Sequence, residues 1–215
     1  MKKIFLLVIV ILALLSSNSL GRSAAGSPFG SFATARTLGM GMGNFGLGFG
    51  IADLTSVTLT FNYGLSAHTD GRIKMALIDD DKIDTQIGIG ADFKYQLISV
   101  EGINNGPFDM ALGGFGEYYN LDVFSVFLIG GQFIGSYPFK MNNNKILTLY
   151  GRFNLRMESL SYDIPLPNGD NSESNLEFGL NAGVKWDLTN SVDMYGEFQF
   201  DGNDGIFIGI DFNVL

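Results

Sequence analysis

The chain has 215 residues, a formal charge of −9, one His, no Cys and 29 Gly. Without Cys there can be no disulfide framework and no acylated-Cys lipoprotein anchor. The acidic balance argues against a nucleic-acid partner, and charged residues at 16% fall below the usual ~25%.

The first 21 residues, MKKIFLLVIVILALLSSNSLG, place Lys2 and Lys3 before an unbroken apolar run at 4–15. Small residues follow, with Ser17/Ser19 or Ser19/Gly21 in a small-x-small arrangement. This is the pattern of a secretory signal peptide. The run is shorter than the ~20 residues that span a bilayer. Its removal takes away Lys2 and Lys3 and moves the charge from −9 to −11. Residues 22–43 open with a small, polar stretch without a period, read as an N-terminal tail. Whether the tail plugs the domain or hangs free is left open. Residues 44–215 form one domain, with nothing resembling an interdomain linker.

That domain alternates with period two, the signature of strands with one apolar face. The predicted strands are 44–51 (with an extension back through the Gly/Met alternation at 39–43 left open), 56–65, 72–78, 84–97, 108–119, 122–139, 145–161, 176–188, 191–201 and 205–214. Between them lie ADLT, AHTD, DDDK, VEGINNG, NL, MNNN, DIPLPNGDNSES, TN and GND. These are turn sequences, and none can hold the helix that a parallel crossover needs. The expectation is an all-β, antiparallel up-and-down meander of about ten strands, or eight if the first two segments are not strands. Closure into a barrel would remove its two exposed edges.

The decisive question is which face points inward. Tyr63, Tyr95, Tyr137, Trp186 and Phe212 sit near the ends of the even strands, each on its strand's apolar face. In a meander those ends share one rim, so the five form a ring like the aromatic girdle of a membrane barrel. Gly88, Gly90, Gly179, Gly183 and Gly209 lie on the polar face, where a narrow interior would need small residues alternating with large ones. The same face carries both signs of charge: Arg72, Lys74, Asp92, Lys94, Glu117, Arg152, Arg156, Glu158, Glu177, Lys185, Asp193, Glu197 and Asp211. These are the expected lumen residues. Together they favour the apolar side out and a transmembrane β-barrel, whose tilted strands need about 9–11 residues.

Residues 176–215 resemble the closing strands of bacterial outer-membrane β-barrel proteins, the small OmpA/OmpX-like up-and-down barrels. The terminus FIGIDFNVL is similar to the β-signal read by the barrel-assembly machinery, with Gly209 at the glycine position and Phe212 and Val214 at the apolar ones. It departs in ending on Leu215 and in having Phe207 where a polar residue is usual. The resemblance implies an outer-membrane location in a Gram-negative-type cell, a periplasmic C-terminus, lipid and the assembly machinery as partners, and a monomer.

Catalysis is not expected. The sole His, His68, falls in a turn that this topology places on the periplasmic side, whereas omptin-like proteases and lipid A deacylases use a His at the outer rim. No spacing singles out a nucleophile. The acidic outer loops (Asp79, Asp80, Asp81 and Asp84; Asp163, Asp170 and Glu173; Asp201 and Asp204) offer oxygen ligands for a hard cation, but fit no EF-hand spacing and read as solvated loops. No cofactor or metal is expected. The leading reading is a small outer-membrane barrel with a structural or surface-interaction role. The alternatives are a secreted lipocalin-like barrel with an apolar interior and a narrow small-solute channel.

Overall fold

Alternating sequence becomes ten consecutive strands in the computed structural model, which describes residues 25–80, 83–100, 106–141, 145–163 and 171–214. They are β1 (Gly43–Ile51), β2 (Thr55–Gly64), β3 (Thr69–Asp80), β4 (Ile83–Ile98), β5 (Asp109–Leu121), β6 (Phe124–Lys140), β7 (Ile146–Tyr162), β8 (Ser172–Asp187), β9 (Val192–Phe200) and β10 (Gly205–Asn213). Each strand pairs antiparallel with the next, and β1 pairs with β10 from Asn44↔Asn213 to Ile51↔Ile206. The sheet is therefore a closed barrel without a free edge, which answers the aggregation hazard of a ten-strand meander.

The strand limits differ from the sequence reading by a few residues. Thr69 and Asp70 belong to β3, not to the turn before it, because β2 pairs with β3 down to Gly64↔Asp70. Residues 39–42 do not extend β1: Gly39 and Gly41 have φ of 95° and 81°, and the chain turns there. β8 begins at Ser172, four residues earlier than expected, and its stretch from Ser172 to Gly179 pairs with β7 before β9 begins to pair at Leu180↔Phe200. The β7–β8 hairpin thus projects past the β9–β10 turn.

The barrel has two mouths. The lower mouth carries the even-to-odd turns and both ends of the wall, where the Val214 N–H donates to the Gly43 carbonyl at 3.0 Å. The upper mouth carries the odd-to-even turns. Of the expected outer loops, residues 81–82 and 164–170 lie outside the described residues.

Apolar side chains point outward all round the wall. Leu47, Phe49, Leu59, Ile73, Met75, Ile89, Phe127, Ile129, Leu155, Leu176 and Ile208 are each about half exposed or more. The fully buried set includes Arg152, Arg156, Lys74, Glu117, Glu158 and Gln199. This arrangement inverts that of a water-soluble barrel and does not fit the lipocalin-like alternative, which needs the apolar face inside. Among the described residues no helix is long and apolar enough to cross a membrane.

Candidate functional site: a lumen filled by the N-terminal segment

The lumen begins with side chains whose strand parity turns them inward. Arg72 and Lys74 on β3 meet Asp92 on β4 at 2.6 and 3.3 Å, and Lys74 also reaches Glu117 on β5. Arg156 on β7 lies 3.3 Å from Glu158 and 3.8 Å from Asp201. Cross-strand from Arg156 is Glu177, half-buried on β8. Lys185 on β8 bridges Asp187 at 3.3 Å and Asp193 on β9 at 2.9 Å. The Arg152 guanidinium lies 4.8 Å over the Phe115 ring. Lys94 pairs with Asp70 at 3.3 Å, and Asp211 and Glu197 are buried on β10 and β9. Buried charges of both signs in mutual contact avoid the large cost of isolated ones.

Residues 25–38 occupy the space between them. This stretch forms no strand or helix, yet Ser27, Phe29, Ser31 and Ala35 are essentially inaccessible. An extended chain without its own ladder must find partners for its buried N–H and C=O groups, and the wall supplies them. Carboxylates take the N–H groups. Glu158 accepts from Ala25 at 2.6 Å, and Glu197 from Ser31 at 2.6 Å and Phe32 at 3.0 Å. Asp70 accepts from Leu38 at 3.1 Å. Donors take the carbonyls. Lys94 Nζ donates to Thr34 and Arg36 at 2.6 and 2.7 Å, and Arg72 donates to Ser31. Gln199 and Tyr119 donate to Ser27 and Gly26 at 2.6 and 2.7 Å.

Two aromatic anchors fix the segment sideways. Phe29 packs with Ile78, Tyr119 and Leu128, and Lys74 Nζ lies 5.0 Å from its ring centre. Phe32 makes edge contacts with Tyr195 and Phe207 at 6.0 and 6.3 Å. Its φ of 42° lies in the left-handed region, which a bulky residue adopts only when its surroundings hold it there. Here Glu197 holds the amide and the aromatic cluster holds the ring. The inward glycines leave room for both anchors. A Cβ on Gly48 would stand 2.6 Å from the Phe32 ring, one on Gly209 3.1 Å from it, and one on Gly88 3.1 Å from Phe29. A Cβ on Gly183 would stand 2.5 Å from the Tyr150 ring. Phe207, anomalous as an inward residue in sequence, completes the Phe32 pocket.

A cavity of about 110 Å³ remains beside the segment toward the lower mouth, lined among others by Arg72, Asp92, Lys94, Lys185 and Asp211. It has room for a few waters at ~30 Å³ each.

On the outside, Tyr63, Tyr95, Tyr137, Trp186 and Phe212 are 37–48% exposed, and all lie on even strands near the lower mouth. Val214, half exposed, follows β10 where it closes on β1. His68 sits in the β2–β3 turn with its ring 6.1 Å from Tyr95. Among the described residues no cluster of His, Cys, Asp and Glu has the shape of a metal site. The side chains of Asp80, Asp81, Asp84 and Asp170 lie outside the described set. Asp201, read as a solvated loop residue, is instead buried and accepts from the Ser27 N–H at 3.4 Å, because the segment reaches the β9–β10 turn.

Sequence reasoning left open whether this segment fills the barrel and named none of its residues as part of the site. The available signals were the inward run Gly46, Gly48 and Gly50 facing an interior too large for its own side chains, and two Phe in an otherwise small, polar tail.

No family model matches the chain, and no curated protein matches it. Solved structures overlay loosely. One titled "KdgM porin" gives a TM-score of 0.42 at 6% identity over 80% of this chain and 99% of its own. One from work titled "Unveiling the Mechanism Behind the in-meso Crystallization of Membrane Proteins" gives 0.36 at 12% identity over 80% and 83%. A mutant Rh. blastica porin gives 0.19 at 10% identity over 81% and 98%.

Proposed function

We propose that the chain is a small outer-membrane β-barrel of a Gram-negative-type envelope, closed by its own N-terminal segment and serving a structural or surface-interaction role without catalysis. One observation carries this: the apolar residues of a closed barrel face outward while its ionic side chains face a filled interior. An unbroken apolar belt would be strongly unfavourable in water at about 25 cal/mol per Å², and lipid removes that cost. The aromatic ring at the lower mouth suits a membrane–water interface. With the C-terminus in the periplasm, the lower mouth faces inward and the upper mouth faces the medium. The barrel-assembly machinery is the expected partner during insertion, and lipid afterwards. The segment in the lumen supports a plugged barrel over an open channel.

Expression with the native signal, followed by gel electrophoresis of boiled and unboiled outer membranes, tests the reading. A heat-dependent mobility shift, with no stepwise conductance in planar bilayers, is expected. Recovery as a soluble periplasmic protein without a shift would overturn the membrane reading, and discrete conductance steps would replace the plugged barrel with a small-solute channel.

A further inference from the structure

We infer that the N-terminal segment is threaded through the finished barrel, so that the chain upstream of Ala25 leaves by the mouth opposite the C-terminus and the processed N-terminus is displayed at the cell surface. The location at the surface rests on the outer-membrane reading above; the threading rests on the path of the chain.

That path is fixed at three levels. At the lower mouth the chain reverses through Gly39 and Gly41. The Gly41 N–H donates to the Gly64 carbonyl at 2.9 Å and the Gly64 N–H to the Met42 carbonyl at 2.8 Å, which ties the reversal to the end of β2. Just above it, Thr37 and Leu38 are held by Gln96 and Asp70, near the end of β4 and the start of β3. Midway, Ser31 and Phe32 are held by Glu197 and Arg72. At the upper end, Ala25 and Gly26 meet Glu158 near the end of β7, and Ser27 meets Asp201 in the β9–β10 turn. From Leu38 back to Ala25 the contacts therefore climb steadily from the lower mouth to the upper. The 13 steps from Ala25 to Leu38 span at most about 45 Å when extended, enough for the crossing even with the turns at Gly26 and Gly30.

The wall closes around this path, since β1 and β10 pair along their whole length. β1 starts at the lower mouth, so a chain that merely preceded the wall would stay on the side of the C-terminus. Ala25 stands at the other mouth. The wall also holds the main chain of the segment by charged side chains from β3, β4, β7 and β9, so the crossing is built into the lumen and is not a loose tail resting in it.

The test uses the full chain with its native signal and exploits the absence of Cys. Three single substitutions are made, none at a residue whose contacts are described above. Ser23→Cys marks the processed N-terminus, Asn168→Cys the β7–β8 connection and Asn104→Cys the β4–β5 connection. Intact and lysed cells are treated with a membrane-impermeant maleimide, and the heat-modifiable form is scored by mass shift. The expected result is labelling of Ser23→Cys and Asn168→Cys in intact cells, and of Asn104→Cys only after lysis. If Ser23→Cys follows Asn104→Cys, the threading is overturned. If Asn104→Cys is labelled in intact cells while both others need lysis, the threading stands and the surface display is overturned. If none of the three reaches the outer membrane in heat-modifiable form, the membrane reading falls and the display with it.

Discussion

Glu197 shows how single residues build this interior. One buried carboxylate takes the amides of Ser31 and Phe32, the Tyr150 hydroxyl at 2.7 Å and the Asn181 amide at 2.9 Å. Glu197→Gln replaces one acceptor oxygen with a donor facing donors. An unsatisfied buried donor costs about 1–3 kcal/mol, so a loss near 2 kcal/mol is expected, read as faster amide exchange at Ser31 and Phe32 and a lower denaturation midpoint. Asp201 gives a pH signature. Burial in the β9–β10 turn pushes its carboxyl up from the usual range to about 6, against the opposing pull of Arg156. The folded state then holds a proton between about pH 4 and 6 that the unfolded state has released, so this group's contribution to stability falls as pH rises through that window. At 1.36 kcal/mol per unit, the stability of the wild type relative to Asp201→Asn is expected to drop by about 3 kcal/mol between pH 4 and 7. Equal unfolding profiles of the two proteins across that range would contradict it.

At the scale of the element, each strand serves two environments, and its two faces predict different failures. Leu180 on β8 stands between Phe153 and Phe200 on the outer face. In the proposed membrane setting Leu180→Arg would set a charge against lipid at a cost of about 2–4 kcal/mol near mid-membrane, and reduced recovery of the heat-modifiable form is expected. Gly48 on β1 points inward, and Gly48→Leu would drive a side chain into the Phe32 ring. The wall should close while the segment loosens, so proteolysis at Arg36 should speed up with little change in heat modifiability. The strands were legible because alternation is local: 176–188 declares its two faces without help. The segment at 25–38 was not, because it has no repeat and its partners are side chains from eight of the ten strands. Phe207 shows the same limit, being out of place in its own strand and explained only by Phe32, far away in sequence.

For the whole molecule, closure and filling are linked. A ten-strand wall with glycines on its inner face has more room than its own side chains occupy, and the N-terminal segment takes up that room. On the proposed membrane reading, the outward belt and the aromatic ring set the depth of the barrel in the bilayer. Trp186, the sole Trp, lies in that ring on the outer face, so its fluorescence reports the surroundings of the wall directly. The measurement is quenching of Trp186 by brominated lipids in reconstituted vesicles. Strong quenching is expected, greater with bromines near the headgroup than at the chain ends. Fluorescence unaffected by brominated lipid at either depth would contradict a barrel whose apolar face meets the membrane.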